Sequence, residues 1–450
     1  MSVMRAGSIF YVASAVFLIC SDLALLNPAL NPSLNPSVLA QSTAQEKPKL
    51  KDFGSSLKRL KWYPKKQATV EIRQKRETRR DSDEVQEGDV VRVNASLVVS
   101  DVLVLDGRGR AVEGLQRDDF IVSEDNQGQQ ITTFSPGDDS AVPRSIVLII
   151  DYSGSQRPYI KTSVAAAVTL VDQLGSRDRM AIVTDDVSLL SEFTNDKAKL
   201  KEKLHSLEKR ATGKPARYGH SAQYSALMAT LRELFDDEDL RPIVIFQTDG
   251  DEIFLLRQML FKQPILGMFT PCQPREDLEE MLKELEAHRK DFGISDVYAA
   301  AEKSRATIYT VIPGRRLIGL PQGEQVKQFR SEMEDHIAAF NLRGEIASCP
   351  RKMPEATLWE LTEQYLRQQT ALAQVAPPTG GWTAFLEKPD QAAQVYGRVL
   401  SDINRRYVIG YQPINKERDG KRRKVSVEVK DHPEYTVWGR KSYYAPSPEE

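Results

Sequence analysis

The chain has 450 residues, of which 40% are hydrophobic, and its 62 Lys and Arg residues nearly balance its 63 Asp and Glu residues. A chain of this length and composition can bury a large core and is long enough for two or three domains. The formal net charge of −1 excludes a strongly basic protein that binds nucleic acid through its overall field.

Residues 1–40 have the pattern of a secretory signal peptide. One basic residue, Arg5, precedes an apolar run at residues 9–20, and residues 38–40 form a boundary that suits a signal peptidase. An uncleaved membrane anchor over residues 9–26 is the alternative, although the run is short for a membrane span. The pattern predicts a secreted or periplasmic protein, which is anchored to the inner membrane if the segment is not cleaved.

Residues 41–88 form a polar segment that is predicted to be a flexible linker. The part between residues 47 and 80 is dense in Lys and Arg and contains few acids. Such a charge run is usually solvated, but it can also contact an anionic lipid or a cell-wall polymer. A plain linker and a contact with an anionic envelope surface therefore both stay open for this segment.

Two segments with strand patterns lie on either side of the central region. Residues 89–133 and residues 407–444 each contain short runs of alternating apolar and polar residues, separated by glycine turns. Neither segment has enough strands to cover its apolar face alone. We therefore predict that they pair into one small β-sandwich, with parts at 89–141 and 397–445, before a tail at 446–450.

The region between these segments, residues 142–396, alternates strand and helix patterns, which predicts an α/β domain with a doubly wound, Rossmann-like sheet. The strand pattern at residues 145–150 is followed at once by Asp151, Ser153 and Ser155. Ligands of open α/β sheets bind beyond the carboxyl ends of the strands, so these side chains are candidates for a site. One carboxylate and two hydroxyls on a tight turn suit a small hard cation such as Mg²⁺.

A second strand pattern, at residues 241–247, leads into an acidic turn that contains Asp249. Between the two strands, a glycine turn and Ser221 precede a helix pattern at residues 222–234. At this position Ser221 is either the N-cap of the helix or an oxygen ligand, and both roles stay open.

Together these residues resemble the von Willebrand factor type A domain and its metal-ion-dependent adhesion site. The resemblance implies that Asp151, Ser153, Ser155, Ser221 and Asp249 surround one divalent ion, Mg²⁺ or alternatively Mn²⁺ or Ca²⁺. Ser221 stands where the family has threonine, and its hydroxyl can also coordinate. In the family, hydroxyls bind the ion directly while the carboxylates mostly hold its waters, which leaves an open position. An Asp or Glu of a partner protein then completes the shell.

Two helical segments, at residues 254–303 and 317–376, exceed what that family needs and are predicted to be insertions. Insertions near the ligand edge often tailor recognition, so these segments are candidates for partner specificity. The alternative is a helical cap that only stabilises the sheet. Cys272 and Cys349 form a disulfide in an oxidising compartment or stay as free thiols.

Across residues 90–445 the chain also resembles the von Willebrand factor A-related secreted proteins of acidobacteria. The likeness includes the motifs at residues 119–122, 379–381 and 407–411. No catalytic or nucleotide-binding motif is recognised, so the sequence favours a binding role over an enzyme. Three functions stay open: a metal-dependent, adhesion-type binding module of the cell envelope, a structural envelope protein with a degenerate, metal-free site, or an enzyme or an enzyme's accessory subunit.

Overall fold

The computed structural model describes residues 97–136, 143–213, 216–217, 219, 221–235, 241–252, 292–339, 348 and 351–447. The predicted signal peptide, the basic linker, both cysteines and most of the first insertion lie outside these ranges. Within them, no helix combines the length and the apolar character that crossing a membrane requires.

Strands and helices alternate through the middle of the chain, whereas the described parts of the flanking segments contain mainly strands. The strands are β1 (Val98–Leu105), β2 (Phe120–Glu124), β3 (Gln127–Gln129), β4 (Ile131–Ser135), β5 (Arg144–Ile150), β6 (Arg179–Thr184), β7 (Ser188–Thr194), β8 (Arg241–Gln247), β9 (Thr307–Pro313), β10 (Thr383–Leu386), β11 (Tyr407–Tyr411), β12 (Arg422–Val429), β13 (Thr436–Trp438) and β14 (Ser442–Tyr444). The α-helices are α1 (Ile160–Asp172), α2 (Lys197–Thr212), α3 (Gln223–Ala229), α4 (Ile294–Lys303), α5 (Gln322–Ala339), α6 (Glu355–Ala373) and α7 (Ala392–Arg405).

The central sheet has six strands in the order β10-β9-β8-β5-β6-β7, and only the edge strand β7 is antiparallel to its neighbour. Its inner strands are apolar on both faces, as a covered parallel sheet requires. In β5, Ile146 and Leu148 pack into the core on one face, and Val147 and Ile149 pack into the core on the other. Helices α1, α2 and α7 cover the first face, and α3 to α6 cover the second. The predicted doubly wound α/β domain is confirmed.

The two flanking segments pair with each other. Strand β1 pairs with β11 and β2 pairs with β12, both antiparallel, which gives two four-stranded sheets in the orders β13-β1-β11-β4 and β14-β12-β2-β3. Residues from both sheets, including Val104, Phe120, Ile409 and Val425, share one buried core. The predicted β-sandwich, formed by both ends of the chain around an inserted α/β domain, is therefore confirmed.

Two arginine side chains join the sandwich to the α/β domain. Arg241, at the start of β8, forms an ion pair with Asp101 of β1 at 3.1 Å, and both side chains are buried. The Arg440 guanidinium donates to the carbonyl oxygens of Glu302 (2.7 Å) and Ala306 (3.0 Å). Arg241 begins its strand, so the sandwich lies at the amino ends of the parallel strands. The opposite, carboxyl edge of the sheet is left to the candidate site.

The start of β10 depends on a glycine for close packing. A Cβ atom at Gly381 would lie 1.8 Å from the carbonyl oxygen of Ile308, whereas a Cβ at Gly397, in the exposed face of α7, would meet nothing within 4 Å. We expect Gly381→Ala to lower the free energy of unfolding by about 3 kcal/mol, since neighbouring backbone must shift. Gly397→Ala should raise it by about 0.5–1 kcal/mol through helix propensity. Urea denaturation of both variants measures these changes, and equal stabilities would contradict the packing.

Candidate metal centre

Polar residues from several loops meet at the carboxyl edge of the central sheet. The first loop follows β5 and the third follows β8, and these two strands are parallel neighbours, so their ends lie side by side. The second loop precedes α3 and contains Ser221. A further loop follows β6, the neighbour of β5 on its other side.

The first loop is organised by Asp151. One carboxylate oxygen accepts the backbone N–H of Ser153 at 2.8 Å, and the other accepts the Thr248 hydroxyl at 2.7 Å. The hydroxyls of Ser153 and Ser155 lie 3.1 Å apart. All three candidate residues of this loop are buried and point their oxygens into one region.

The third loop supplies further carboxylates, all buried. Asp249 accepts the backbone N–H of Asp251 at 3.3 Å. Glu252 turns toward α3, where it accepts the backbone N–H groups of Tyr224 (2.7 Å) and Ser225 (3.1 Å). Glu252 thus satisfies the free N–H groups at the start of the helix, which leaves Asp249 and Asp251 to face the site.

Ser221 does not cap the helix that follows it. The N-cap of α3 is Ala222, whose own side chain accepts no capping bond, and Glu252 accepts the first N–H groups of the helix instead. The backbone of Ser221 is left-handed, with φ of 49°, and its N–H donates to Asp185 at 2.9 Å. The Ser221 hydroxyl faces Asp251 at 3.4 Å. The hydroxyl is therefore directed at the candidate site.

Asp185 connects the first and second loops. It follows β6 directly and accepts the backbone N–H of Tyr152 (3.1 Å) as well as that of Ser221. A Cβ at Gly219 would lie 2.0 Å from the Asp185 carboxylate, so this approach requires glycine. Burial, followed by the charges of Asp151 and Asp186, raises the pKa of Asp185 well above its usual range.

Three carboxylates form the centre of the site. One oxygen each of Asp151, Asp249 and Asp251 lies within 4.8 Å of the others. Burial raises the pKa of Asp151 from its ordinary value of 3.8 to about 6, and the Asp249 charge adds to the rise. Burial, then Asp249 and Asp151, raises the pKa of Asp251 well above its usual range. Ionising these groups together is unfavourable unless a positive charge lies among them.

These residues fit a hard divalent cation. The donors are carboxylate and hydroxyl oxygens, which Mg²⁺, Mn²⁺ and Ca²⁺ prefer. In an octahedral shell with bonds of about 2.1 Å, neighbouring ligand oxygens lie about 3 Å apart, and the Ser153 and Ser155 hydroxyls have a spacing of 3.1 Å. In the described part of the chain, no Lys or Arg forms an ion pair with the three carboxylates. A bound cation would supply the missing positive charge.

Two glutamine amides partly replace this positive charge, because their N–H groups donate hydrogen bonds to the carboxylates. The Gln223 side-chain N–H group donates to Asp151 at 2.9 Å and also to Asp251. The Gln156 side-chain N–H group donates to Asp249 at 2.7 Å. In both glutamines the amide oxygen is buried and has no hydrogen-bond partner among the described residues.

Helices α5 and α6, here called the cap, cover the site. Gln368 of α6 donates to the carbonyl oxygen of Asp249 at 3.0 Å, and His336 of α5 lies 3.3 Å from the carbonyl oxygen of Ser155. Between the cap and the loops lies a cavity of about 20 Å³, lined also by Glu332. This volume holds about one water molecule.

The structure places all five predicted ligands at this edge of the sheet. The carboxylates of Asp151 and Asp249 come together with that of Asp251, which the sequence interpretation left in the acidic turn without a role. Asp185 and Gln223 were also missed. Asp185 carries the signal used for the other loops, an acid directly after a strand. Gln223 carries no such signal, because it lies inside a helix and its direction depends on the fold.

Comparison with known proteins finds matches for the central region of the chain. Residues 146–252 match the sequence model of the von Willebrand factor type A domain. The curated protein inter-alpha-trypsin inhibitor heavy chain H4 of Bos taurus is 31% identical over 135 residues, which are 28% of this chain and 14% of that protein. The chain thus matches only a small part of that relative's length.

Solved structures that are similar to parts of this chain include the following three. A von Willebrand factor type A protein from Catenulispora acidiphila is 13% identical, with 80% of this chain and 76% of that chain covered and a TM-score of 0.33. BatB from Bacteroides thetaiotaomicron is 13% identical, with coverages of 58% and 98% and a TM-score of 0.29. Manganese-loaded TRAP from Plasmodium vivax is 13% identical, with coverages of 73% and 100% and a TM-score of 0.27.

Proposed function

We propose that this protein is a metal-dependent, adhesion-type module that binds a protein ligand, because residues 146–252 match the sequence model of the von Willebrand factor type A domain. The observation that supports this most is the group Asp151, Asp249 and Asp251, three buried carboxylates within 4.8 Å of one another. Such a group is costly to bury without a cation, and domains of this family commonly bind proteins.

The residues that would hold the ion follow from the donors present. Asp151 and Asp249 would bind it or its waters, and the hydroxyls of Ser153, Ser155 and Ser221 would bind it directly. The bound ion supplies a coordination position that prefers an oxygen anion. An Asp or Glu side chain of the partner is the ligand that this position favours.

The cap limits when this binding can occur. Ser155 and Asp249 are 2% and 6% exposed beneath it, and the cavity above them has a volume of about 20 Å³. A partner carboxylate therefore reaches the ion only after α5 or α6 moves. The second insertion would then act in recognition as a gate, one form of the specificity role considered for it.

The predicted signal peptide supports a place for the protein in the cell envelope, secreted or periplasmic. Extracellular fluids and the periplasm contain divalent ions and exposed protein carboxylates, as the proposed binding requires. The basic segment at residues 47–80 would add an attraction to anionic envelope surfaces.

A structural, metal-free role is the second candidate, and one observation favours it. The amides of Gln223 and Gln156 already donate to the carboxylates of Asp151 and Asp249. The centre is therefore partly satisfied without an ion, and the domain could serve as a rigid support. Calorimetric titration with Mg²⁺ and Mn²⁺ separates the two candidates, because only the first predicts heat of binding.

A capture experiment tests the binding role. The full-length protein, immobilised, should retain envelope proteins in millimolar Mg²⁺ and release them in chelator. Asp249→Asn should abolish retention because the ion loses a charged neighbour, whereas Asp172→Asn, at an exposed position on α1, should not. Converting the partners' carboxyl groups to amides should also abolish retention. Capture that ignores both chelator and amidation would contradict a carboxylate-to-metal contact.

A further inference from the structure

Gln223, the first residue of α3, lies directly between two of the carboxylates. Its side chain is fully buried, and its terminal N–H group contacts both Asp151 and Asp251. The second half of the same amide, the oxygen, is buried without a hydrogen-bond partner among the described residues. A buried amide oxygen without a partner is unfavourable, and native structures contain few of them.

The spacing at Gln223 is an ordinary hydrogen-bond distance that is also close to the spacing of neighbouring ligands in a metal shell. Its terminal nitrogen lies 2.9 Å from the Asp151 oxygen. Neighbouring oxygens on an octahedral ion with bonds of about 2.1 Å are about 3 Å apart. The end of the Gln223 side chain therefore lies at the distance from Asp151 that a neighbouring ligand would have.

The two ends of an amide are nearly the same in shape but opposite in polarity. The N–H end suits a centre that contains only carboxylates, because it donates to both. A cation between the carboxylates reverses this preference, since it repels N–H and attracts the amide oxygen. A half-turn of the terminal amide exchanges the two ends within the same volume, which is why such groups are assigned from their hydrogen-bond partners.

We infer that Gln223 is an ion ligand of this centre: its amide nitrogen stands in for the cation when none is bound, and its amide oxygen coordinates the cation when one is. Asp251 then joins the same shell as a charged neighbour. This inference rests on the proposed metal binding and deepens it, because it names a ligand that the adhesion-site pattern does not contain.

Ser221 lies less close to the carboxylates than Gln223 does. Its hydroxyl is 3.4 Å from Asp251, a longer contact than that of Gln223 with Asp151. Its backbone is held in a left-handed conformation by Asp185. Gln223, in contrast, is the first residue of α3, so the helix fixes the position of its Cα.

The variant Gln223→Leu tests whether Gln223 binds the ion or only occupies its place when the ion is absent. Leucine keeps the side-chain volume and removes both ends of the amide. If Gln223 only competes with the ion, this change leaves Mn²⁺ affinity equal or higher. If Gln223 is a ligand, Mn²⁺ affinity falls, and we expect a decrease of about tenfold or more, compared with a smaller decrease for Ser221→Ala.

Gln223→Glu provides the opposite change at nearly constant shape. It keeps an oxygen at the ligand position and adds a charge, so Mn²⁺ should bind at least about tenfold more tightly, and the ion-free protein should melt at a lower temperature. Calorimetric titration with Mn²⁺ gives the affinities, and circular dichroism checks that each variant is folded. If Gln223→Leu does not fold, the Glu variant still answers the question.

The possible results distinguish a failure of the proposed metal binding from a failure of the role of Gln223. Absence of Mn²⁺ binding by the wild-type protein would overturn the proposed function together with this inference. Binding by the wild type that Gln223→Leu preserves, or that Gln223→Glu fails to strengthen, would overturn only the role of Gln223.

Discussion

Mg²⁺ or Mn²⁺ should raise the melting temperature of the wild-type protein, and Asp151→Asn should abolish that rise. An ion that binds only the folded state, at about a hundred times its dissociation constant, stabilises it by about 2.7 kcal/mol. For a domain of this size, this corresponds to roughly 5–10 °C. Scanning calorimetry with the ion or with chelator measures the shift, and Asp172→Asn, which alters an exposed carboxylate, should keep it.

The same variant should behave differently when chelator is present. Asp151→Asn removes one of three buried carboxylates and thereby relieves their repulsion. The Gln223 amide can turn to accept a hydrogen bond from the new side chain, so packing is kept. We therefore expect the ion-free melting temperature to stay equal or to rise. A large decrease would mean that Asp151 stabilises the fold by itself and that the centre does not need a cation.

The pH of the experiment sets the size of the shift. The pKa of Asp151 in the folded, ion-free protein is raised to about 6 from its ordinary value of 3.8. Between these values the folded state binds more protons than the unfolded state, so ion-free stability falls as pH rises through this window. Ion binding requires the ionised carboxylate. The stabilisation by Mg²⁺ should accordingly be larger at pH 7.5 than at pH 5, and a shift of equal size at both would contradict this coupling.

The parts of the fold that follow from local pattern could be predicted from the sequence. The continuous apolar run at residues 145–150 predicts a strand buried on both faces, and β5 spans Arg144–Ile150. The run at residues 241–247 corresponds to β8, Arg241–Gln247. Since polar residues follow both strands at once, their convergence at one edge of the sheet was predictable, and Asp151 and Asp249 do meet there. The sandwich was predictable because neither flank could cover its own apolar face.

Other features depend on tertiary packing, which single-sequence patterns do not contain. The edge strand β7, Ser188–Thr194, lacks a clear alternation and was not predicted. The helical character of α5 and α6 was predicted, but their position over the candidate metal centre was not, because it depends on how two amphipathic helices pack against the sheet. The direction of Gln223 toward the carboxylates was hidden for the same reason.

The cap gives the binding proposal a kinetic consequence. The Asp249 carbonyl accepts a hydrogen bond from Gln368, and the Ser155 carbonyl faces His336. The side chains of α5 and α6 also form part of one apolar core with the sheet, including Phe329, Leu358 and Leu361. An ion beneath such a cover leaves only when the cover opens, which is a local unfolding event with its own free energy. Changes that weaken the cap should therefore act on the rate of ion release before they act on the whole fold.

Leu358→Ala should accelerate the release of Mn²⁺ into excess chelator by at least about tenfold, whereas Leu204→Ala should leave the release rate nearly unchanged. Both leucines are 0% exposed, but Leu358 lies on α6 of the cap and Leu204 on α2, across the sheet. Each change should cost about 2–5 kcal/mol of global stability, so the pair is matched in chemistry and in overall destabilisation. A factor of ten requires only about 1.4 kcal/mol of the loss to fall on cap opening. Stopped-flow mixing measures the rates, and equal rates in the two variants would show that the ion leaves without opening of α5 and α6.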